Sequence, residues 1–302
     1  MPAVSEIRKS GDAGLTQAEQ IQRAVLRSLH SRDLYIERQV NSMLKVLRTA
    51  EMHVKAKLVD IGDTQLLKNG LEIRQEQLRG IQKGIDEIIR DMKRDQTVIM
   101  KTTIKDSFLN GITSSIGEFS ELKFPHYENL SHIDRVKLAG QVMSLIDQSA
   151  LDFLVKFNLQ LLGNVTRELA DHIKQQISVG IVTGDSIAKI GEKIGGVITD
   201  PDEFRLAGKT VFKTAQTRVE VITRTETLRV YGHGRNKFYN QIGVRRIVWV
   251  TAGDERTCPE CGPLGGKEFF INKAPPLPRH VMCRCLVYAA RARVCRSGQP
   301  VH

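Results

Sequence analysis

Four of the chain's five cysteines lie between residues 258 and 285. Cys258 and Cys261 flank Pro259 and Glu260 in a CxxC turn, and His280, Cys283 and Cys285 follow about twenty residues later. Thiolate and imidazole donors grouped in two knuckles can surround a tetrahedral ion, the geometry Zn²⁺ prefers. Cys258 and Cys261 form the first pair, and His280 with Cys283 mirrors their spacing. Cys285 is the reserve, so four of these five are expected to bind. Gly262, Gly265 and Gly266 supply the tight turns such a loop needs. A segment this short buries little apolar surface, and a bound structural metal would supply the missing folding free energy, on the order of 10 kcal/mol. A redox CxxC normally opens a helix after a strand, whereas prolines and glycines follow here. A catalytic zinc would keep one position open for water, with Asp254, Glu255 or Glu260 as the neighbouring base. Cys295 stands apart and reads as a free thiol.

The 302 residues suffice for about two domains of ~150 residues. Composition is 41% hydrophobic and only 5% aromatic, and its Leu, Ile, Lys, Gln and Glu favour helix. No apolar run approaches the ~20 residues a membrane span requires. The opening stretch, MPAVSEIRKSGDAG, lacks the apolar core of a secretory signal, so a reducing cytoplasm is expected and a disulfide knot is not. Formal charge is +11, and it is concentrated. Residues 201–302 hold 18 Lys and Arg against 8 Asp and Glu, while the first 200 hold 27 against 26. A basic excess beside a cysteine cluster points towards a polyanionic partner.

The elements that must position the cluster are mostly helical. Thr16 and Glu19 have capping-box spacing. Ile21, Val25, Leu29, Val40, Met43, Leu44 and Leu47 continue an apolar stripe towards Leu58, which Gly62 and Asp63 interrupt. Leu71, Leu78, Ile85 and Met92 recur every seven residues, with Ile81 and Ile88 offset, which predicts a heptad seam against the preceding helix or another chain. A connection falls near Pro125, and Asp185 or Ser186 is positioned to cap a helix over IAKIGEKIGGVI. Asp200 and Pro201 predict the start of a further helix, burying Phe204, Val211, Ala215, Val219 and Ile222 and ending at Gly232 or Gly234. VRRIVWVT alternates, which predicts a strand with Ile247 and Trp249 on one face; Lys267–Ile271 is a second candidate. The expected fold is mainly α: a long helical amino-terminal body, then a small α+β module stapled by the zinc site. Its expected divisions are 1–125, a helical hairpin for assembly; 126–200, a helical connection; and 201–302, the module.

The order of features over roughly Gly180–Val287 resembles the phage head morphogenesis family, the Mu F-like minor head proteins. The resemblance rests on Arg224-Thr225-Glu226-Thr227, Gly234-Arg235, Tyr239, Gly243-Val244 and Trp249. It continues through Asp254, Arg256-Thr257-Cys258, Cys261, Gly266-Lys267, Phe269, His280 and Cys283-Arg284-Cys285. The sequence departs from the family's usual pattern at Gly232, where Asn is common, and at Val281, where Pro is.

The resemblance implies a minor structural protein of a tailed-phage head, associated with the portal and acting in assembly, packaging or ejection. It implies a virion component made in the host cytoplasm, not an enzyme. The partners it implies are the portal protein, packaged double-stranded DNA bound without sequence preference, and major capsid or scaffolding proteins. Arg235, Lys237, Arg245 and Arg246 are the candidate nucleic-acid contacts. Arg224 and Glu226, two apart on a helix, read as residues that hydrogen-bond the helix to the module. Two rival classes are a zinc-dependent nuclease or effector carried in the head, and a host zinc-ribbon binder stacking bases on Tyr239 and Trp249.

Overall fold

The computed structural model describes residues 17–63, 75–145, 148–183, 185, 187–199, 214–252 and 257–290. Thr16, Leu71, Ser186, Asp200, Pro201, Phe204, Val211, Asp254, Glu255, Arg256 and Cys295 lie outside them. Among the described residues, six helices precede a small sheet: α1 (Gln17–Asp63), α2 (Gln75–Glu121), α3 (His132–Ser144), α4 (Gln148–Val182), α5 (Ile187–Thr199) and α6 (Ala215–Gln241). The strands are β1 (Arg246–Val250), β2 (Glu268–Phe270) and β3 (Leu286–Ala289). The mainly helical fold with a small closing sheet agrees with the sequence-based expectation.

The described residues form two compact units, each assembled from separate stretches: one from within 1–37, 103–152 and 224–302, the other from within 38–102 and 153–223. The second unit is a helical bundle. Val40, Met43, Leu44, Leu47, Ala50, Val54 and Leu58 form a buried stripe that recurs every three or four residues along α1, as an amphipathic helix requires. In the heptad seam, Ile81, Ile85 and Met92 are buried and Ile88 is half-buried. This seam faces its own chain. A side chain at Gly84 would lie 2.9 Å from Lys57, and Asp86 pairs with Lys174 of α4 at 2.5 Å. A polar layer interrupts the apolar packing, where Thr166 Oγ1 donates to the buried Gln96 at 3.0 Å. Such a layer fixes which helical register can pack.

The first unit holds the Cys/His cluster. Within it, α2 and α6 cross at two glycines. A Cβ on Gly111 would sit 2.1 Å from the Tyr231 carbonyl oxygen, and one on Gly234 would sit 2.2 Å from that of Phe108. This corrects the expected helix end at Gly232 or Gly234: α6 runs on to Gln241. Gly234 admits a neighbouring backbone; it does not stop the helix. Of the residues expected to be buried along α6, Ala215 and Val219 are, and Ile222 is half-buried. Gly234→Ala should therefore lower stability by ~1–3 kcal/mol, because the backbones must separate. Gly80→Ala, in open space, should instead be neutral or stabilising by up to about 1 kcal/mol. Urea midpoints of the two variants check the contrast.

The turn after α2 packs back on α6. Phe119 and Tyr127 both meet Phe238 edge-on, with ring centroids 5.6 and 5.7 Å apart. In the sheet β1 is central and antiparallel to both neighbours, pairing Ile247 with Phe269 and Trp249 with Val287. Trp249 is wholly buried, as are Tyr239 and Arg235. One apolar patch joins Val25 and Leu29 of α1 to Tyr231 of α6 and Leu286 of β3.

Candidate metal centre

The first knuckle follows β1. The amides of Cys261 and Gly262 both donate to the Cys258 carbonyl, at 3.1 and 2.9 Å, and close a tight turn. The Cys261 amide also points at the Cys258 sulfur, 3.3 Å away. Pro263 opens the short 3₁₀ turn Gly262–Leu264. Gly266, at φ 77°, then returns the chain to β2; its amide donates to the Trp249 carbonyl at 2.9 Å. The prolines and glycines around the first CxxC therefore build a loop beside β1.

The second knuckle precedes β3. The Cys283 amide donates to the His280 carbonyl at 3.3 Å. Met282 between them adopts φ 59°, a left-handed conformation costing a non-glycine residue on the order of 1 kcal/mol. It is held there by Thr225 of α6, whose hydroxyl accepts from the Met282 amide at 3.1 Å. This refines the reading of the RTET segment. Thr225 ties α6 to the knuckle, whereas Arg224 pairs with Glu37 of α1 and Glu226 with Arg229.

The two knuckles bring all five candidate ligands together. Cys258, Cys261 and His280 form one group, and Cys261, Cys283 and Cys285 another, each with donor atoms within 4.8 Å of one another. His280 Nε2 lies 3.0 Å from the Cys258 sulfur and 3.3 Å from that of Cys261. Donors on adjacent corners of a zinc tetrahedron stand roughly 3.5–3.8 Å apart, so these separations need to open by only a few tenths of an ångström. His280 Nδ1 lies 2.7 Å from the Val281 carbonyl; donating its proton there leaves the Nε2 lone pair free for a cation. Cys261, Cys283 and Cys285 are buried, while Cys258 and His280 are half-exposed.

Protonation within the cluster is unequal. The Cys285 thiol donates to Cys283 and, with nearby backbone groups, brings Cys283 down to about 5. Serving as that donor, and being buried, raises Cys285. Burial is the main cause that pushes Cys261 up to about 12. A divalent cation would displace the remaining protons, so its affinity rises with pH. The groups around the ligands fit such an ion too. The buried Trp249 indole N–H has no hydrogen-bond partner among the described residues, and it favours the charged form of Cys285. An N–H beside a thiolate is the outer-shell support a metal site uses. The four cysteines are free thiols.

The candidate nucleic-acid residues divide differently. Arg245 and Arg246 are exposed and Lys237 half-exposed. Arg246 lies 4.6 Å over the Phe270 ring and 3.4 Å from Glu268. Arg235 does not belong with them. It is fully buried, donating to Glu118 at 2.6 Å and to the Val287 carbonyl at 3.0 Å. No phosphate can reach it. Tyr239 and Trp249 are equally buried, which removes the base-stacking surface of the zinc-ribbon alternative. Sequence reading also missed β3, whose Leu-Val-Tyr-Ala run directly follows Cys285.

Helices with a small sheet and a Cys/His cluster able to hold a metal ion define a mainly helical protein with a small Cys/His-knuckle module. Residues 171–288 match the family described as Phage Mu protein F like protein, so this part of the chain is similar to Mu F-like phage head proteins. The match covers the end of α4, all of α5 and α6, and the five candidate ligands. No curated protein matches the chain, and no solved structure does. No helix among the described residues is long and apolar enough to cross a membrane.

Proposed function

We propose that the chain is a minor structural protein of a tailed-phage head, bound at the portal and acting in head assembly, DNA packaging or ejection. The observation that carries this reading is the family match over residues 171–288, which includes the whole Cys/His cluster. The metal is proposed to be one structural Zn²⁺, held by Cys258, Cys261, His280 and Cys283, with Cys285 beside them. Its contribution is a crosslink between the two knuckles. Five protein donors compete for four positions, which leaves no place for the water a catalytic zinc needs. That supports a structural role over a hydrolase. In chain order, 1–125 and 126–200 are proposed to supply helical contacts to the portal and to capsid or scaffolding proteins, and 201–302 the DNA-facing module. Mass spectrometry of purified heads should recover the chain together with the portal protein; its absence from complete heads would refute the assignment.

The DNA contact is proposed to run through Lys237, Arg245 and Arg246. Binding by the full-length, metal-loaded protein should be non-specific, in the micromolar range at low salt, and should weaken steeply as salt releases counterions. Arg245→Glu with Arg246→Glu should flatten the salt slope by about 2. Fluorescence anisotropy on two unrelated duplexes measures both quantities. An unchanged slope would remove these arginines from the interface.

A further inference from the structure

We propose that Arg32, on α1 and outside the family-matched segment, is a positioning residue of the metal centre, through which metal occupancy is linked to docking of the amino-terminal helix. The inference rests on the metal reading above. Arg32 is only 2% exposed although it carries a full charge. Its Nη1 donates to the Cys285 carbonyl at 2.6 Å, and its Nη2 to the Arg284 carbonyl at 2.8 Å. The guanidinium thus grips two successive carbonyls of the second knuckle, a fork geometry that lysine cannot reproduce. Its carboxylate partner, Asp33 at 2.6 Å, is itself partly exposed.

The contact is placed to act on the ligands. The Arg284 and Cys285 carbonyls belong to the two peptides that flank the Cys285 Cα, so fixing them sets the direction from which the Cys285 thiol projects and anchors the chain one residue past Cys283. The same stretch of α1 packs Val25 and Leu29 against Leu286, the residue after Cys285. A buried positive charge here also suits a site whose three thiolates and one imidazole leave it at about −1 once Zn²⁺ is bound. Coupling of this kind is reciprocal: what α1 adds to metal affinity, the metal returns as stability of the α1 contact.

The test uses the full-length chain, with Zn²⁺ affinity measured by competition against a chromophoric chelator and amide exchange followed over residues 24–36. Arg32→Met should bind one Zn²⁺ about 10–100-fold more weakly, the usual effect of losing an outer-shell partner. Arg32→Lys, which keeps the charge but not the fork, should fall between. Stripping the wild type of metal should speed exchange over residues 24–36, and this metal dependence should shrink in Arg32→Met. That wild-type measurement decides the matter even where Arg32→Met fails to fold. Wild-type Zn²⁺ binding with unchanged affinity in Arg32→Lys and metal-independent exchange over residues 24–36 would overturn the inference alone. A wild type that binds no metal would overturn the metal reading, and the inference with it.

Discussion

Cys258→Ser combined with Cys261→Ser should abolish metal binding and unfold the sheet module. The sheet has only twelve residues in regular strands, and two of the three in β2 are exposed, so its own apolar burial is small. A structural zinc contributes on the order of 10 kcal/mol to domains of this kind, comparable with the whole stability of an ordinary one, ~5–15 kcal/mol. The chain supplies its own probe, because its single tryptophan is the fully buried Trp249. Its emission should shift to the red in the double variant and in wild type treated with chelator. Acid should act in the same direction, since protons compete with the metal for thiolates and imidazole. Unchanged emission and exchange protection in the double variant would mean that the module folds without its knuckles bridged.

Breaking the Arg235–Glu118 pair should have the next largest effect. Both residues are buried, and the pair is embedded in a network. The Tyr239 hydroxyl donates to the same carboxylate oxygen at 3.2 Å, and Arg235 also reaches Ser28 and Ser114 at 3.4 Å. The guanidinium therefore joins α1, α2, α6 and β3 within one unit. Burial pushes the Tyr239 hydroxyl well above its ordinary value, so it remains a donor throughout the accessible pH range. Glu118→Leu alone strands a buried cation and should cost about 3–5 kcal/mol in urea unfolding; so should Arg235→Met, which strands the carboxylate. Joining the two changes removes both charges and should recover much of the loss, as apolar replacements of buried pairs do. A double variant as unstable as the two losses added together would show that the two side chains do not act as a pair.

Legibility in the sequence followed how local the physical cause was. Helical stripes and the heptad seam are periodic, so Val40–Leu58 and Ile81–Met92 could be read along the chain. The Cys/His cluster was legible for a related reason, since a CxxC turn and an HxxC turn each form a knuckle within four residues. The misreadings involve partners distant in sequence. Gly234 looks like a helix end until the Phe108 backbone crosses it, 126 residues away. Arg235 looks like a surface cation in a basic segment, and only Glu118, 117 residues earlier, explains its burial. Arg32 carries no local signal, because its acceptors are carbonyls more than 250 residues on. β3 was hidden by length: four residues after the second knuckle are too few for alternation to stand out, and its pairing with β1 supplies the order.

X-ray absorption at the zinc edge, on full-length protein purified without chelator, tests the central claim most directly. One equivalent of zinc per chain should appear, in a shell of three sulfurs near 2.3 Å and one nitrogen near 2.0–2.1 Å. Cys285 in place of His280 would give four sulfurs and still a closed, protein-only shell. A chain without zinc, or a shell containing a water oxygen, would contradict a structural zinc that closes the two knuckles around His280 and the cysteines.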